Sequence, residues 1–190
     1  MKVCVVGHGP SLKGSGLGKK IDGFDKVVRL KGSGSVIGNA DYGHLVDALC
    51  ASTEIMGTFF KVSAPEYWAY PKKGVYNLMA AGETIGRLGK PVMIPLEFCN
   101  FWNQRFRQMG AKHPNVSTGM AAILIAIDRW APQEIILAGF DTMMNPDIEF
   151  DRNAEIPRSG DGPYPNHDWP LENQLLTVLG NVYKVEIRPI

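Results

Sequence analysis

The stretch Lys2-Val3-Cys4-Val5-Val6-Gly7-His8-Gly9-Pro10 begins with an apolar run and ends in two glycines and a proline. An apolar run of this length that stops at a glycine is typical of a buried parallel strand leading into a loop at its carboxyl end. We therefore predict a strand over Lys2–Val6. The segment Glu134–Ala138 (EIILA) has the same form and is followed by Gly139, so it predicts a second buried strand.

Helical and extended patterns alternate along the rest of the chain. Aromatic residues, Pro and Gly dominate residues 64–96, and we predict only short helical or extended pieces there. Alternating elements with glycines at the strand ends predict one Rossmann-like α/β domain over residues 1–190, with a mostly parallel sheet and helices on both faces. The other predicted strands are 26–31, 46–51, 57–62 and 183–188, and the predicted helices are 97–109, 119–130 and 171–179.

The composition excludes several classes of protein. The chain of 190 residues has 20 Lys+Arg against 19 Asp+Glu, which leaves no overall charge to attract nucleic acid or an anionic membrane. No apolar run reaches the roughly 20 residues that cross a bilayer, and the opening residues are too short for a secretory signal. An odd count of 3 cysteines without a C-x-x-C pair indicates neither a disulfide framework nor a zinc ribbon. We expect a cytoplasmic protein without a transmembrane segment.

The loop Gly7-His8-Gly9-Pro10-Ser11 is the first candidate site. Backbone N–H groups in a glycine loop after a strand can hold a phosphate. The loop lacks the third glycine of the dinucleotide fingerprint, since residue 12 is Leu, and it has no Gly-Lys-Ser/Thr sequence. A tight turn that only lets the chain leave the sheet is the alternative.

The sequence Ser117-Thr118-Gly119 is the second candidate, at the start of the most apolar predicted helix. Unpaired N–H groups and the helix dipole favour an anion there, and an ordinary N-cap is the alternative. Because ligands of open α/β sheets bind at the carboxyl ends of the strands, we expect this helix start to lie near Gly7–Ser11 and Gly139.

His167 and Glu172 form the third candidate, between a polar loop and a helix with Pro170 in its first turn. A histidine at a loop edge beside a carboxylate has the parts of a general base. A surface histidine next to helix-capping acids is the alternative. The four histidines are scattered, and no two have ligand spacing on one helix, so we predict no metal site.

These three signals occur in the order found in one known family. Residues 5–30 (VVGHGPSLKGSGLGKKIDGFDKVVRL) resemble the long motif of the family 29 glycosyltransferases, the animal-type sialyltransferases. Asp41-Tyr42-Gly43 is similar to the Asp-x-Gly that ends that region, and residues 114–140 resemble the short motif. His167-Asp168-Trp169-Pro170-Leu171-Glu172 resembles the His-x4-Glu motif. Together these motifs cover roughly half of the chain.

The resemblance implies a variant of the GT-A-like fold and an inverting transfer without a metal or cofactor. Sialic acid, or a related keto-acid sugar such as Kdo, would pass from a CMP-sugar donor to a glycan or glycolipid acceptor. Such a transfer needs a base for the acceptor hydroxyl and fixed donors for the departing phosphate. The resemblance assigns the base to His167 and makes Glu172 a residue that holds the geometry of its motif.

The resemblance also implies a set of substrate-binding residues. Lys31 stands where the family has an asparagine, and Pro132 stands where it has a cysteine, so Cys4 is expected to have no disulfide partner. The missing disulfide, anchor and stem fit a bacterial or viral enzyme. The set consists of Gly7, Gly9, Ser11, Lys31, Ser52, Thr53, Ser117, Thr118, Gly119, Gly139, Phe140 and Tyr164.

The sequence is also compatible with two other functions. One is a nucleotide-binding module that has lost transfer activity, and the other is a generic Rossmann enzyme that uses only the Gly7–Gly18 cluster.

We expect the long polar loop over residues 145–165 to act as a lid over the site. Four aromatic residues either stack on a sugar or belong to the core: Tyr67, Trp68, Tyr70 and Trp102.

Overall fold

The structure of the protein is a computed structural model, which describes residues 1–30, 37–52, 63–71, 92–112, 115–144 and 167–190. Its centre is a parallel sheet. Within those ranges the sheet has seven strands in the order β5-β4-β3-β2-β1-β6-β7. The strands are β1 (Lys2–Val6), β2 (Lys26–Leu30), β3 (Ala48–Ser52), β4 (Glu66–Tyr70), β5 (Val92–Met93), β6 (Glu134–Ala138) and β7 (Glu186–Pro189).

Helices cover both faces of this sheet. The helix α3 is apolar nearly all round because it packs across β1 to β4 and is itself covered by other elements. The helices are α1 (Gly18–Ile21), α2 (Leu96–Gln108), α3 (Thr118–Trp130), α4 (Asp141–Met144) and α5 (Trp169–Tyr183), with a 3-10 turn at Pro10–Leu12.

The two faces of the sheet bury separate cores. The α3 core contains Val3 and Val5 of β1 and the buried side chains of α2, α3 and α5. The α1 core contains Cys4 and Val6 of β1, together with Leu12 and Ile21. Successive side chains of β1 therefore pack on opposite faces of the sheet. The predicted α/β fold, with a parallel sheet and helices on both faces, is confirmed.

The structure corrects several predicted elements. The predicted strand 183–188 begins too early, because α5 continues to Tyr183, Lys184 ends it in a left-handed conformation at φ 55°, and β7 starts only at Glu186. Two strands, β4 and β5, lie in the stretch 64–96, for which the sequence predicts only short helical or extended pieces. The strand predicted at 46–51 lies at Ala48–Ser52. The predicted strand 57–62 and the predicted lid 145–165 lie outside the described residues.

The strand order places a topological switch point beside β1. The chain leaves β1 toward β2 on one side, and β6 lies on the other side. In open α/β sheets, ligands bind in the crevice at the carboxyl ends of the strands that flank such a point. Here those ends lead into Gly7 and Gly139.

Candidate functional site

The two glycine turns at the switch point are bonded to each other. The Gly7 N–H donates to the Ala138 carbonyl at 2.7 Å, and the Gly9 N–H donates to the Gly139 carbonyl at 2.8 Å. Gly139 has a φ of 69°, which glycine adopts without strain. The amides of Gly7 and Gly9 are thus engaged within the fold, and these glycines allow two backbones to approach closely.

A carboxylate lies beside the same loop. The Ser11 N–H donates to Oδ2 of Asp141 at 2.9 Å, and a Cβ placed on Gly9 would collide with that carboxylate. The loop therefore presents an acceptor for hydroxyl or amino groups where a phosphate-binding loop would present unengaged amides. The sequence places Asp141 at this edge, directly after Gly139-Phe140 at a strand end, but the predicted set of substrate-binding residues does not include it.

The start of α3 has the geometry of a capped helix terminus. The Oγ of Ser117 accepts from Met120 N at 3.0 Å, and the Ser117 carbonyl accepts from Ala121 N at 2.9 Å. The bond from Ala121 N to the Ser117 carbonyl is the first backbone bond of the helix. The N–H groups of Thr118 and Gly119 precede it in the chain, so they have no acceptor within the helix. Together with the dipole, they form the end of α3 that favours an anion.

The ring of Phe140 connects the glycine turns to α3. A Cβ on Gly7 would lie 3.1 Å from Cδ2 of Phe140, and a Cβ on Gly119 would lie 2.8 Å from its Cε1. Both glycines therefore lie against this ring, which is itself buried. The structure thus brings Gly7, Gly9, Gly119, Gly139 and Phe140 into one cluster.

Glu172 binds the cap of α3. Its Oε1 accepts from the Ser117 N–H at 2.6 Å, and its Oε2 accepts from the Ser117 hydroxyl at 2.7 Å. Glu172 is fully buried and Ser117 is 4% exposed. A buried carboxylate needs such charge-assisted bonds to offset the loss of hydration. Glu172 therefore joins the start of α5 to the start of α3.

His167 lies just before α5 and is half-buried. Its ring is 4.8 Å from that of Trp169, at an angle of 42°. Asp168 caps the helix by accepting from Leu171 N, and it also accepts from Lys112 N at 3.3 Å. On the next turn, Nδ2 of Asn173 donates to the Met143 carbonyl at 2.9 Å, which ties α5 to α4. These bonds fix the start of α5, which directly follows His167 in the chain.

Of the remaining substrate-binding candidates, the structure describes Ser52. Ser52 is 4% exposed at the end of β3, where it pairs with Tyr70 of β4. Lys31, Thr53 and Tyr164 lie outside the described residues. The aromatic residues Tyr67, Trp68, Tyr70 and Trp102 are all buried at 9% exposure or less, so they belong to the core.

Three further properties concern the described part of the chain. It contains no group of three or more His, Cys, Asp or Glu side chains placed to hold a metal ion. None of the helices in these ranges has the length and apolar character needed to cross a membrane. All three cysteines are free and buried. Burial raises the pKa of Cys4 to about 12.

Comparisons with known proteins find matches to the fold of the chain but none to its sequence. No family model matches the chain, and no curated protein matches its sequence. A crystal structure of a mammalian sialyltransferase in complex with Gal-beta-1-3GalNAc-ortho-nitrophenol matches it with a TM-score of 0.63 at 19% identity, over 98% of this chain and 68% of that one. The fold is sialyltransferase-like. A second mammalian sialyltransferase structure gives a TM-score of 0.62 at 20% identity, with the same coverage of both chains.

Proposed function

We propose that this sialyltransferase-like protein is a CMP-sugar-dependent glycosyltransferase that passes sialic acid, or a related keto-acid sugar such as Kdo, to a glycan acceptor. The observation that carries the proposal is the bond between Glu172 and Ser117. It joins the His-x4-Glu segment to the start of α3, so two of the three motifs found in the sequence meet at the edge where the third, Gly7–Ser11, also lies.

The proposed donor site uses the start of α3 for the leaving phosphate. The amides of Gly7, Gly9 and Ser11 are engaged within the chain, whereas those of Thr118 and Gly119 have no acceptor within their helix. Donors that are already fixed in place stabilise developing negative charge without reorganising. We place Asp141 on the ribose or base side, where its carboxylate would accept from a hydroxyl or amino group.

His167 is the proposed general base. It is half-buried at the start of α5 and is followed directly by the cap residue Asp168. A neutral histidine side chain can accept the proton of an acceptor hydroxyl as that oxygen attacks the anomeric carbon. The C–O bond to the phosphate breaks in the same step, and the electron pair leaves with CMP.

The test of the base compares two histidine variants. His167→Ala should reduce transfer from CMP-sialic acid to Gal-beta-1-3GalNAc-ortho-nitrophenol by about 100-fold or more, the range typical of a general base. CMP affinity, measured by isothermal titration, should change by less than about threefold, because the proposed role of His167 is to accept a proton from the acceptor hydroxyl and not to bind CMP. His44→Ala, at an exposed histidine, is the control. Unchanged transfer in His167→Ala would refute the assignment of the base.

A second test concerns the metal. In the proposed site, helix amides and side chains stabilise the negative charge of the leaving phosphate, as a metal ion would in a metal-dependent transferase. Transfer should therefore survive EDTA. Loss of activity that Mg²⁺ or Mn²⁺ restores would show a metal-dependent transferase instead. CMP binding without transfer to any acceptor in a panel would identify the alternative, a nucleotide-binding module, while binding of S-adenosylmethionine or NAD without CMP would identify a generic Rossmann enzyme.

A further inference from the structure

A buried amide side chain lies behind the first turn of α3. Asn103 is on the buried face of α2 and is 2% exposed. Its Oδ1 accepts from Val116 N at 3.3 Å and from the Tyr70 hydroxyl at 3.0 Å. The Val116 N–H can only donate, so the oxygen of the Asn103 amide must face it. One side chain therefore links α2, the end of β4 and the residue that precedes the cap of α3.

The bond to Val116 meets a requirement of the backbone. Val116 is fully buried, and its N–H precedes the helix, so α3 provides no acceptor for it. The next N–H in the chain, that of Ser117, donates to Glu172. Two successive amides are thus each held by a buried side chain, one from α2 and one from α5. Neither the position nor the orientation of the first turn of α3 can change without breaking one of these bonds.

We propose that Asn103 is a positioning residue for the donor site. By holding Val116, it fixes where the amides of Thr118 and Gly119 face the leaving phosphate. The inference rests on the proposed function, which places the phosphate at this end of α3. Fixed donors lose much of their effect when they are displaced by a fraction of an ångström to one ångström, so a bond behind the turn controls affinity for the donor without contacting it.

Three variants separate positioning from general stability. Asn103→Leu removes the acceptor at similar volume. Tyr70→Phe removes the other bond to Asn103 but keeps the bond to Val116. Val185→Ala shortens a side chain that is 4% exposed next to the amino end of β7, at the opposite edge of the sheet, and so controls for lost stability. Three measurements are made on each: hydrogen exchange at individual amides, CMP affinity, and the KM for the CMP-sugar.

Asn103→Leu should raise the exchange rates of Met120 and Ala121 by about tenfold relative to Ile125, because opening of the first turn no longer breaks the Val116 bond. It should also weaken CMP binding, and raise the KM for the CMP-sugar, by about tenfold or more. Tyr70→Phe and Val185→Ala should change CMP affinity by less than about threefold. If Asn103→Leu folds poorly, Asn103→Thr takes its place, since its shorter side chain also loses Val116.

Several outcomes would overturn the inference. One is an Asn103→Leu protein with wild-type CMP affinity or wild-type exchange in the first turn. Another is Val185→Ala weakening CMP binding as much as Asn103→Leu does. If the wild-type protein binds no CMP, the proposed function fails by itself, and the exchange comparison then decides whether Asn103 fixes the turn.

Discussion

Phe140 fills the space that a side chain at Gly119 would need. A Cβ on Gly119 would come 2.8 Å from its ring. In an ordinary helix, Gly→Ala stabilises by about 0.5–1 kcal/mol, but overpacking costs about 1–3 kcal/mol. We expect Gly119→Ala to lower the free energy of unfolding by about 1–2 kcal/mol in the wild-type background. In a Phe140→Leu background, which lacks the ring, the same change should raise it.

Denaturant titrations of the four proteins in this double-mutant cycle measure the sign reversal. Gly23→Ala is the matched control, since a Cβ there meets nothing nearer than 3.4 Å. Equal destabilisation by Gly119→Ala in both backgrounds would show that the Phe140 ring is not the reason why residue 119 must be glycine.

The residues of the cluster differ in how far the sequence could reveal them. Gly7, Gly119 and Gly139 follow or begin predicted elements, so their meeting at one edge follows from the rule for parallel sheets. The hydrogen-bond partners of the glycine amides cannot be predicted from the sequence. A bond such as that from the Gly9 N–H to the Gly139 carbonyl depends on which strand lies beside β1. Asn103 interrupts the apolar face of a predicted helix, which marks it as unusual without naming its partners.

Ser117 and Glu172 couple α3 to α5. Ser117→Ala removes the cap of Met120 and one of the donors to a buried carboxylate, which should cost about 2–3 kcal/mol of unfolding free energy. Glu172→Gln keeps the shape but loses the charge. Because both changes break the same contact, the double variant should be less destabilised than the sum of the single variants, by about 0.5–3 kcal/mol.

This coupling is measured by urea unfolding of the wild type, both single variants and the double variant. Additive losses within about 0.5 kcal/mol would mean that the two helices do not depend on this contact. Glu134→Gln, at the opposite edge of the sheet, provides a control pair with Ser117→Ala that should be additive. There Glu134 forms ion pairs with Lys2 and Arg188.

Helices with strong signals were easier to predict than short strands. The predicted helix 119–130 matches α3, because its Ser117 cap and its apolar sequence both mark it. By contrast, β4 is Glu-Tyr-Trp-Ala-Tyr, in which no alternation of polar and apolar residues is visible, and β5 has only two residues. Such strands are formed by pairing with neighbours far away in the sequence, which local patterns do not contain.

Alkaline pH should lower the stability of the fold. Burial raises the pKa of Cys99 to about 12 from 9.0, as it does for Cys4, and raises those of Cys50 and Tyr70 well above their usual range. In the unfolded chain these groups ionise near their usual values. A pKa that is higher in the folded state gives stability that is complete below pH 9.0 and declines as the pH rises toward 12. Urea midpoints should therefore fall between about pH 8.5 and pH 10.5, and constant midpoints would contradict this.

The same thiols test whether residues 1–190 unfold as one unit. Cys4 lies in the α1 core, and Cys50 and Cys99 lie in the α3 core on the other face of the sheet. Because β1 supplies side chains to both cores, we expect neither face to open without the other. In mild urea, a thiol reagent should then label Cys4 and Cys50 at the same rate, limited by global unfolding, and peptide mapping by mass spectrometry measures both rates. Labelling of Cys4 at least about tenfold faster than Cys50 would show that the α1 layer opens by itself, as a separate folding unit.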